Sequence, residues 1–310
     1  MTFIRWRPTF IPLQSASHSS KGLPTHSDVS TITIHLFYNA CLTAIPHFHR
    51  MKATTSEQFN SLPREMQEHT YEIMYEVEGR HWWFVGRRKI IASFVRDICT
   101  HIGKRRPRIL DVGCGTGANL QMLSNFGVAE GVDVSTEALN FCRARGLAKV
   151  RQGAAEALPF EDASFDVVTG LDVVEHLDDD VAGLKEMRRV LRPGGRALLF
   201  VPAFMFLWGV QDDISHHRRR YTLPDLKARL AEAGLSVERA TYANITFFLP
   251  ILAGRVIMRL TGVRPASENN ITIGALNGFL GWILGSESWW LRWMDFRFGV
   301  SIICVAQRTD

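Results

Sequence analysis

The sequence of 310 residues has no apolar run long enough to span a bilayer. The nearest, Ile245 to Met258, is short and is interrupted by Pro250 and Arg255. Cysteine is scarce: the five are Cys41, Cys99, Cys114, Cys142 and Cys304. They are scattered, odd in number and without metal-ligand spacing, which suits a reducing compartment and makes the cytoplasm the expected location. A strong charge excess is also missing. The net charge is +5, and part of it is local, since residues 1–50 hold Arg5, Arg7, Lys21 and Arg50 against Asp28 alone. Such a balance is no nucleic-acid signature, and no nucleic-acid partner is expected.

Hydrophobic residues make up 46% of the chain and charged residues 22%, the composition of an ordinary globular protein with a sizeable core. Residues 1–50 are rich in Ser, Thr, His and Pro and poor in acids. They read either as a transit-like or disordered extension or as sequence upstream of a natural start at Met51, with the second reading preferred. From Glu65 to about Ile102 the pattern is helical, with Met66, Ile73, Met74 and Val77 at helical spacings and Ile90, Ile91, Phe94 and Val95 on one face.

After Pro107 short β-rich runs alternate with helical stretches. Strands are expected over Arg108–Val112, Val128–Val132, Lys149–Arg151, Phe165–Thr169, Arg196–Val201 and Leu235–Arg239. Helices are expected from Gly117, after a Ser135 cap, over Asp180–Leu191, and after Thr222 with Pro224 in the first turn. Pro193-Gly194-Gly195 should halt the third of these. The alternation argues for a mostly parallel sheet with helices on both faces. Residues 241–298 break the rhythm with an aromatic-rich helical stretch, and Val300–Gln307 reads as a last strand.

The stretch RILDVGCGTGANL (108–120) ends its strand in an acid and then sets Gly113, Gly115 and Gly117 at alternate positions. Ligands of an open parallel sheet sit beyond the carboxyl ends of its strands. Glycines there let backbone approach a ligand, and the following helix N-terminus favours a carboxylate or phosphate. Asp111, just before the first glycine, would be a poor neighbour for a pyrophosphate and a good one for an ammonium or sulfonium. S-adenosylmethionine carries both, together with a carboxylate. Asp133 follows 20 residues after Gly113, where an acid can hold a ribose diol.

DVGCGTG, GVDVS (131–135), GAAEALPF (153–160), FDVVTGLDVVEHL (165–177) and LRPGGRALLFVP (191–202) resemble, in order, the motifs of class I S-adenosylmethionine-dependent methyltransferases. The resemblance spans roughly residues 80–240. It implies a Rossmann-like sheet of seven strands, mostly parallel with an antiparallel last strand, and a helical insertion before that strand. It also implies five regions: the extension 1–50, helices capping the cofactor over 51–106, the core 107–240, an acceptor-side lid 241–298, and the last strand 299–310.

Carried over residue by residue, Asp111, Gly113, Cys114, Gly115 and Gly117 resemble the loop on the methionine side. Asp133 resembles the ribose ligand, with Val134 beside the adenine. Ala155 and Glu156 stand where the family clamps adenine, although Ala154 replaces the usual acid. Leu171 resembles the residue lining the methionine chain. Cys114 reads as a loop filler, since no neighbour in sequence would activate it.

HWWFVGRR (81–88) is similar to a segment of a bacterial small-molecule and ubiquinone-type branch, where the helix covers the cofactor. Arg87 or Arg88 could fork onto the cofactor carboxylate, or serve as surface arginines beside an aromatic lid. DVVEHL (172–177) resembles an acid-x-x-Glu-His pattern with which two branches bind a divalent ion. Asp172, Glu175 and His176 would suit magnesium, yet Glu-His is widespread in metal-free relatives and Asp stands at the first position, so a metal is not favoured. DDISHHRRRY (212–221) resembles the bacterial branch's Asp, then His, then Arg-Arg-Tyr. His217 matches that histidine and is the candidate base, with His176 the second candidate; the competing reading is a solvated basic turn. Trp282, Trp289, Trp290 and Trp293 read as a core stripe.

The expected activity is methyl transfer, with oxygen as the target, to a small-molecule or lipid-linked acceptor, and contact with a membrane surface is compatible with it. Asn-Pro-Pro-Tyr, the amino-methylating signature, is absent at the fourth strand end, where Thr-Gly-Leu-Asp stands. The alternatives are a non-catalytic cofactor-binding partner subunit and an NAD-dependent oxidoreductase.

Overall fold

The computed structural model describes residues 68–263 and 276–310, with side chains from 71 onward. The readings of residues 1–50, of Met66 and of the middle of the 241–298 segment lie outside the described residues. Two helices open the described chain, α1 (Glu68–Val77) and α2 (Trp82–Ile102). His81 caps α2 by accepting from Trp83 N at 3.3 Å, and Gly103 closes it at φ +69°. Ile90, Ile91, Phe94 and Val95 are all buried, as their spacing predicts.

The strands are β1 (Arg108–Val112), β2 (Val128–Asp133), β3 (Val150–Gln152), β4 (Phe165–Leu171), β5 (Leu191–Pro202), β6 (Ser236–Ala243) and β7 (Ser301–Gln307). They form one sheet in the order β3-β2-β1-β4-β5-β7-β6. β7 runs antiparallel to β5 and to β6, and the other pairs are parallel. Because β4 lies on the far side of β1 from β2, the strand order reverses there and leaves a crevice at the carboxyl ends of β1 and β4.

The intervening helices are α3 (Ala118–Leu123), α4 (Thr136–Ala144), α5 (Asp180–Val190), α6 (Val210–Ile214) and α7 (Leu223–Glu232). Ser135 caps α4, Asp179 caps α5, and Thr222 with Asp225 forms a capping box on α7. The helix expected to be halted by Pro193-Gly194-Gly195 already ends at Val190, and β5 starts at Leu191 rather than at Arg196. Leu191 already pairs with Phe165, the register shifts across the proline and glycines, and pairing resumes between Arg196 and Val167.

One sheet face packs under α5 and α7 through Leu184, Met187, Leu226 and Leu230. The other packs under α2 and α9 (Leu276–Trp290) through Ile91, Phe94, Leu284 and Leu291. Small residues set the α2–α9 separation: a Cβ on Gly86 would lie 2.7 Å from Leu284 Cβ. Asn277 of α9 accepts from Trp82 N at 2.9 Å, tying the two helices at one end. The expected insertion is therefore split in use, since α8 (Phe248–Thr261) borders the crevice while α9 rides on α2.

The tryptophan stripe is not core. Trp282, Trp289, Trp290 and Trp293 are 62%, 57%, 50% and 76% exposed. The helix is apolar on all sides, and only the face holding Gly281, Leu284 and Gly285 meets α2 and the sheet. No helix among the described residues is long and apolar enough to cross a membrane.

Candidate active site

A cavity of about 620 Å³ occupies the crevice. Its walls come from α1 and α2, the glycine loop, the ends of β2 and β4, α6 with the loop after it, and α8. Of the residues singled out in the sequence, Arg87, Arg88, Gly113, Cys114, Gly115, Asp133, Val134, Ala155, Glu156, Leu171, His176 and His217 all line it. Asp111 and Gly117 do not.

The Asp111 side chain turns to β4. Its carboxylate is buried and accepts from Thr169 Oγ1 at 2.6 Å, because the two residues are register partners on β1 and β4. Burial, reinforced by the charge of Asp133, pushes its pKa up to about 7 against the Thr169 hydrogen bond.

The glycines have different causes. Gly113 has φ +65°, and a Cβ there would meet Val173 Cγ2 at 2.4 Å. Gly117 has φ +92°, and a Cβ would meet Cys142 Sγ at 2.9 Å. At both positions a Cβ would run into neighbouring side chains. Gly115 alone of the three faces open space, with nothing within 4 Å of a built Cβ. Cys114 is buried with its Sγ 3.9 Å from Cys142 Sγ. That hydrogen bond and burial push its thiol up, so it stays a neutral filler.

Asp133 accepts from Gly115 N at 2.8 Å through Oδ2 and from Ser135 N at 2.9 Å through Oδ1. It therefore shapes the loop while lining the cavity. Sequence reasoning missed a second brace on the loop. Thr116 Oγ1 donates to Glu78, and Arg145 reaches the same Oε1 at 2.6 Å and Thr116 O at 2.8 Å. Residues that far apart in the chain give no local signal of their meeting.

Arg87 does not lie free for a carboxylate. Its Nη2 is 2.5 Å from Asp172 Oδ2, and its guanidinium sits 4.5 Å from the Phe200 ring centroid. Asp172 has φ +58°, a backbone conformation rare outside glycine, at the tip of β4. Arg88 donates to Glu78 O at 2.5 Å. Both arginines still line the cavity.

The 212–221 loop folds back over the turn after β4. Arg218 N donates to Glu175 O at 2.9 Å, Arg218 Nε to His176 O at 2.9 Å, and Arg219 Nη2 to Leu177 O at 3.0 Å. The arginine run is thus a set of braces rather than a solvated basic turn. It brings the His217 and His176 rings edge to face at 4.7 Å. His217 Nδ1 lies 2.7 Å from Asp212 Oδ1. Burial would raise the Asp212 carboxyl, but hydrogen bonds from His217 and Arg220 outweigh it and hold the pKa at about 2. An ionised Asp212 fixes the proton on Nδ1 and leaves the Nε2 lone pair open. Burial, with His217 beside it, lowers the His176 pKa to about 4, so that ring is neutral near pH 7.

Glu175 is fully buried and neither carboxylate oxygen has a hydrogen-bond partner. Burial, and then the charge of Asp172, raise its pKa well above the usual carboxylate range. Ligand atoms of Glu175, His176 and His217 all lie within 4.8 Å of one another. Asp172, expected in such a set, is held instead by Arg87, and His217 takes its place. The donor types fit a divalent ion, and the unpartnered carboxylate is what such an ion would satisfy. Ligand atoms sharing one ion at about 2.1 Å lie no more than about 4.2 Å apart, so the widest pair would have to close in.

Residues 110–199 match the methyltransferase-domain family. An uncharacterized methyltransferase, YcgJ, of Bacillus subtilis is 35% identical over 183 residues, which cover 55% of this chain and 71% of that protein. A demethylmenaquinone methyltransferase of Chlorobaculum tepidum is 39% identical over 103 residues, 32% of this chain. The chain spans 43% of that relative's length. A ubiquinone biosynthesis O-methyltransferase of Idiomarina loihiensis is 28% identical over 203 residues, 57% of this chain and 81% of that protein.

Proposed function

Since the chain belongs to the class I S-adenosylmethionine-dependent methyltransferases, we propose that it moves a methyl group to an oxygen of a small-molecule or lipid-linked acceptor. The observation that carries this reading is the pair Asp212–His217 on the same cavity as Gly115 and Asp133. S-adenosylmethionine supplies a methyl group already activated on a sulfonium. Asp133 would hold the ribose and Ala155 with Val134 the adenine, while Gly115 gives the methionine end its approach. α1 and α2 cap that side. His217 Nε2 takes the proton of an acceptor hydroxyl, and Asp212 stabilises the resulting imidazolium. Positioning supplies much of the rate, because the displacement is in line on an activated carbon. The name of the ubiquinone-type O-methyltransferase supports an oxygen, and the names of both quinone-type relatives support a lipid-like acceptor.

The test is transfer of labelled methyl from S-adenosylmethionine into extractable product, with quinol and fatty-acid acceptors offered separately. The reading expects label in one extract and about 10²–10⁴-fold less with His217→Ala. Cofactor binding without label on any acceptor would instead favour a non-catalytic partner subunit. The buried, unpartnered Glu175 favours a second reading, in which Glu175, His176 and His217 hold a divalent ion that polarises the acceptor oxygen. Activity lost to a chelator and restored by magnesium would select it; activity unaffected by the chelator selects the base.

A further inference from the structure

We propose that the aromatic surface joining the end of α9 to the start of α8 docks on a lipid bilayer with anionic headgroups. Its members touch in series. Trp289 and Trp290 meet edge to face at 4.7 Å, Trp290, Met294 and Phe298 share one shallow depression, Phe298 lies 5.3 Å from Phe248, and Phe248 lies 6.5 Å from Phe206. The outer members are open to solvent: Trp289 is 57% exposed, Met294 47%, Phe298 48% and Phe206 47%. Single exposed apolar residues are ordinary, but a connected run of this kind is not.

Two observations select a bilayer over a second copy of the chain. The first is residue type. Four of the chain's eight tryptophans, Trp282, Trp289, Trp290 and Trp293, are exposed on α9 and just beyond it. An indole, with an apolar body and one N–H, suits the headgroup boundary. The second is charge. Among the described residues from 244 to 300, the exposed cations are Arg259, Arg292 and Arg297. The acids are Glu287, which is buried, and Asp295, which Arg239 holds at 2.8 Å. Among the described residues the patch thus carries a positive rim. Two copies facing each other would oppose like charges, whereas anionic lipid complements them. Among the described residues no helix is long and apolar enough to cross, so the contact proposed is with the bilayer surface.

The same surface leads to the cavity. Ile251 and Met258 of α8 line it, while Leu249, Val256 and Leu260 of that helix point away and are exposed. Delivery of a lipid-linked acceptor along α8 rests on the methyl-transfer reading; the docking itself does not.

The experiment is flotation of the full chain with phosphatidylcholine vesicles and with vesicles containing about 30% phosphatidylglycerol, without cofactor or acceptor. The wild type should float with the anionic vesicles and far less with the neutral ones. Trp289→Ser with Trp293→Ser should weaken binding by about tenfold or more, the loss expected for two withdrawn aromatic side chains. Arg292→Glu with Arg297→Glu should abolish the preference for anionic lipid. Melting temperature and S-adenosylmethionine affinity, read alongside, should match wild type in both variants. A wild type that stays in the aqueous fraction overturns the proposal, as does a tryptophan variant that floats equally well. A lipid-independent dimer that the tryptophan variant abolishes would also overturn it, in favour of a second copy. A failed cofactor titration would strike the methyl-transfer reading and leave this one standing.

Discussion

Asp212 Oδ1 lies 2.7 Å from His217 Nδ1, and the other ring nitrogen of His217 lies 3.9 Å from Glu175 Oε1. One carboxylate is ionised and bonded, the other buried and unpartnered, and the imidazole stands between them. The first consequence concerns His217 itself. His217→Ala should lower turnover about 10²–10⁴-fold and leave cofactor affinity intact. Asp212→Asn should lower turnover in the same direction, since an amide carries no charge to stabilise the imidazolium, and should also loosen the loop, since its NH2 cannot accept from the donors that meet one carboxylate oxygen. A His217→Ala enzyme whose rate and pH profile match wild type excludes the base. One that raises only the acceptor KM assigns His217 to binding.

Asp133 carries two duties, and substitution should separate them. Asp133→Ala should weaken S-adenosylmethionine binding by about 1–3 kcal/mol, the cost of a lost charged partner. It should also lower the melting temperature, because Gly115 N and Ser135 N lose their acceptor. Calorimetry and thermal melting read the two effects apart. Unchanged affinity would remove Asp133 from the cofactor site.

The raised Asp111 pKa sets a pH dependence. The folded chain keeps a proton on Asp111 up to about pH 7, whereas the ordinary carboxyl value is 3.8. Between these values the folded state binds more protons than the unfolded, so the contribution of this group to stability falls as pH rises and is lowest above about 7. Asp111→Asn should therefore raise the melting temperature of the ligand-free protein at pH 8, with a smaller gain at pH 5. An equal gain at both pH values would contradict the raised pKa.

What the sequence disclosed follows from how local each cause is. The strand–glycine–helix unit and Asp133 were legible because their chemistry is contiguous. The Asp212–His217 pair was within reach, because five residues separate its members. The Glu78–Thr116 contact spans 38 residues, and no pattern marks it. Gly113 and Gly117 were read as ligand clearance, yet Val173 and Cys142 fill those spaces, a packing fact that spacing cannot carry. The tryptophans of α9 were taken as core because a helix apolar on every side does not reveal which face is used. Asp111 was placed beside the ligand because register across β1 and β4, which turns it onto Thr169, appears only once the sheet is assembled.

The tight contact between α9 and α2 can also be probed. Gly86→Val should cost about 1–3 kcal/mol of stability, since its Cβ would stand 2.7 Å from Leu284 Cβ. Leu284→Ala costs stability by itself, but the pair should cost less than the sum of the singles, because the truncation removes Cγ and Cδ2, which a Gly86 Cβ would meet at 2.8 and 2.9 Å, although Leu284 Cβ stays. Denaturant unfolding of the single and double variants checks this. Costs that simply add would mean that the helices do not meet through this pair.

The central claim is that the crevice between β1 and β4 is a site for S-adenosylmethionine. Calorimetric titration of the full chain with S-adenosylmethionine, with NAD as the comparison, tests it most directly. The account predicts saturable heat with S-adenosylmethionine, loss of affinity in Asp133→Ala, retention in His217→Ala, and no heat with NAD. Binding of NAD alone, or S-adenosylmethionine binding indifferent to Asp133, would contradict it.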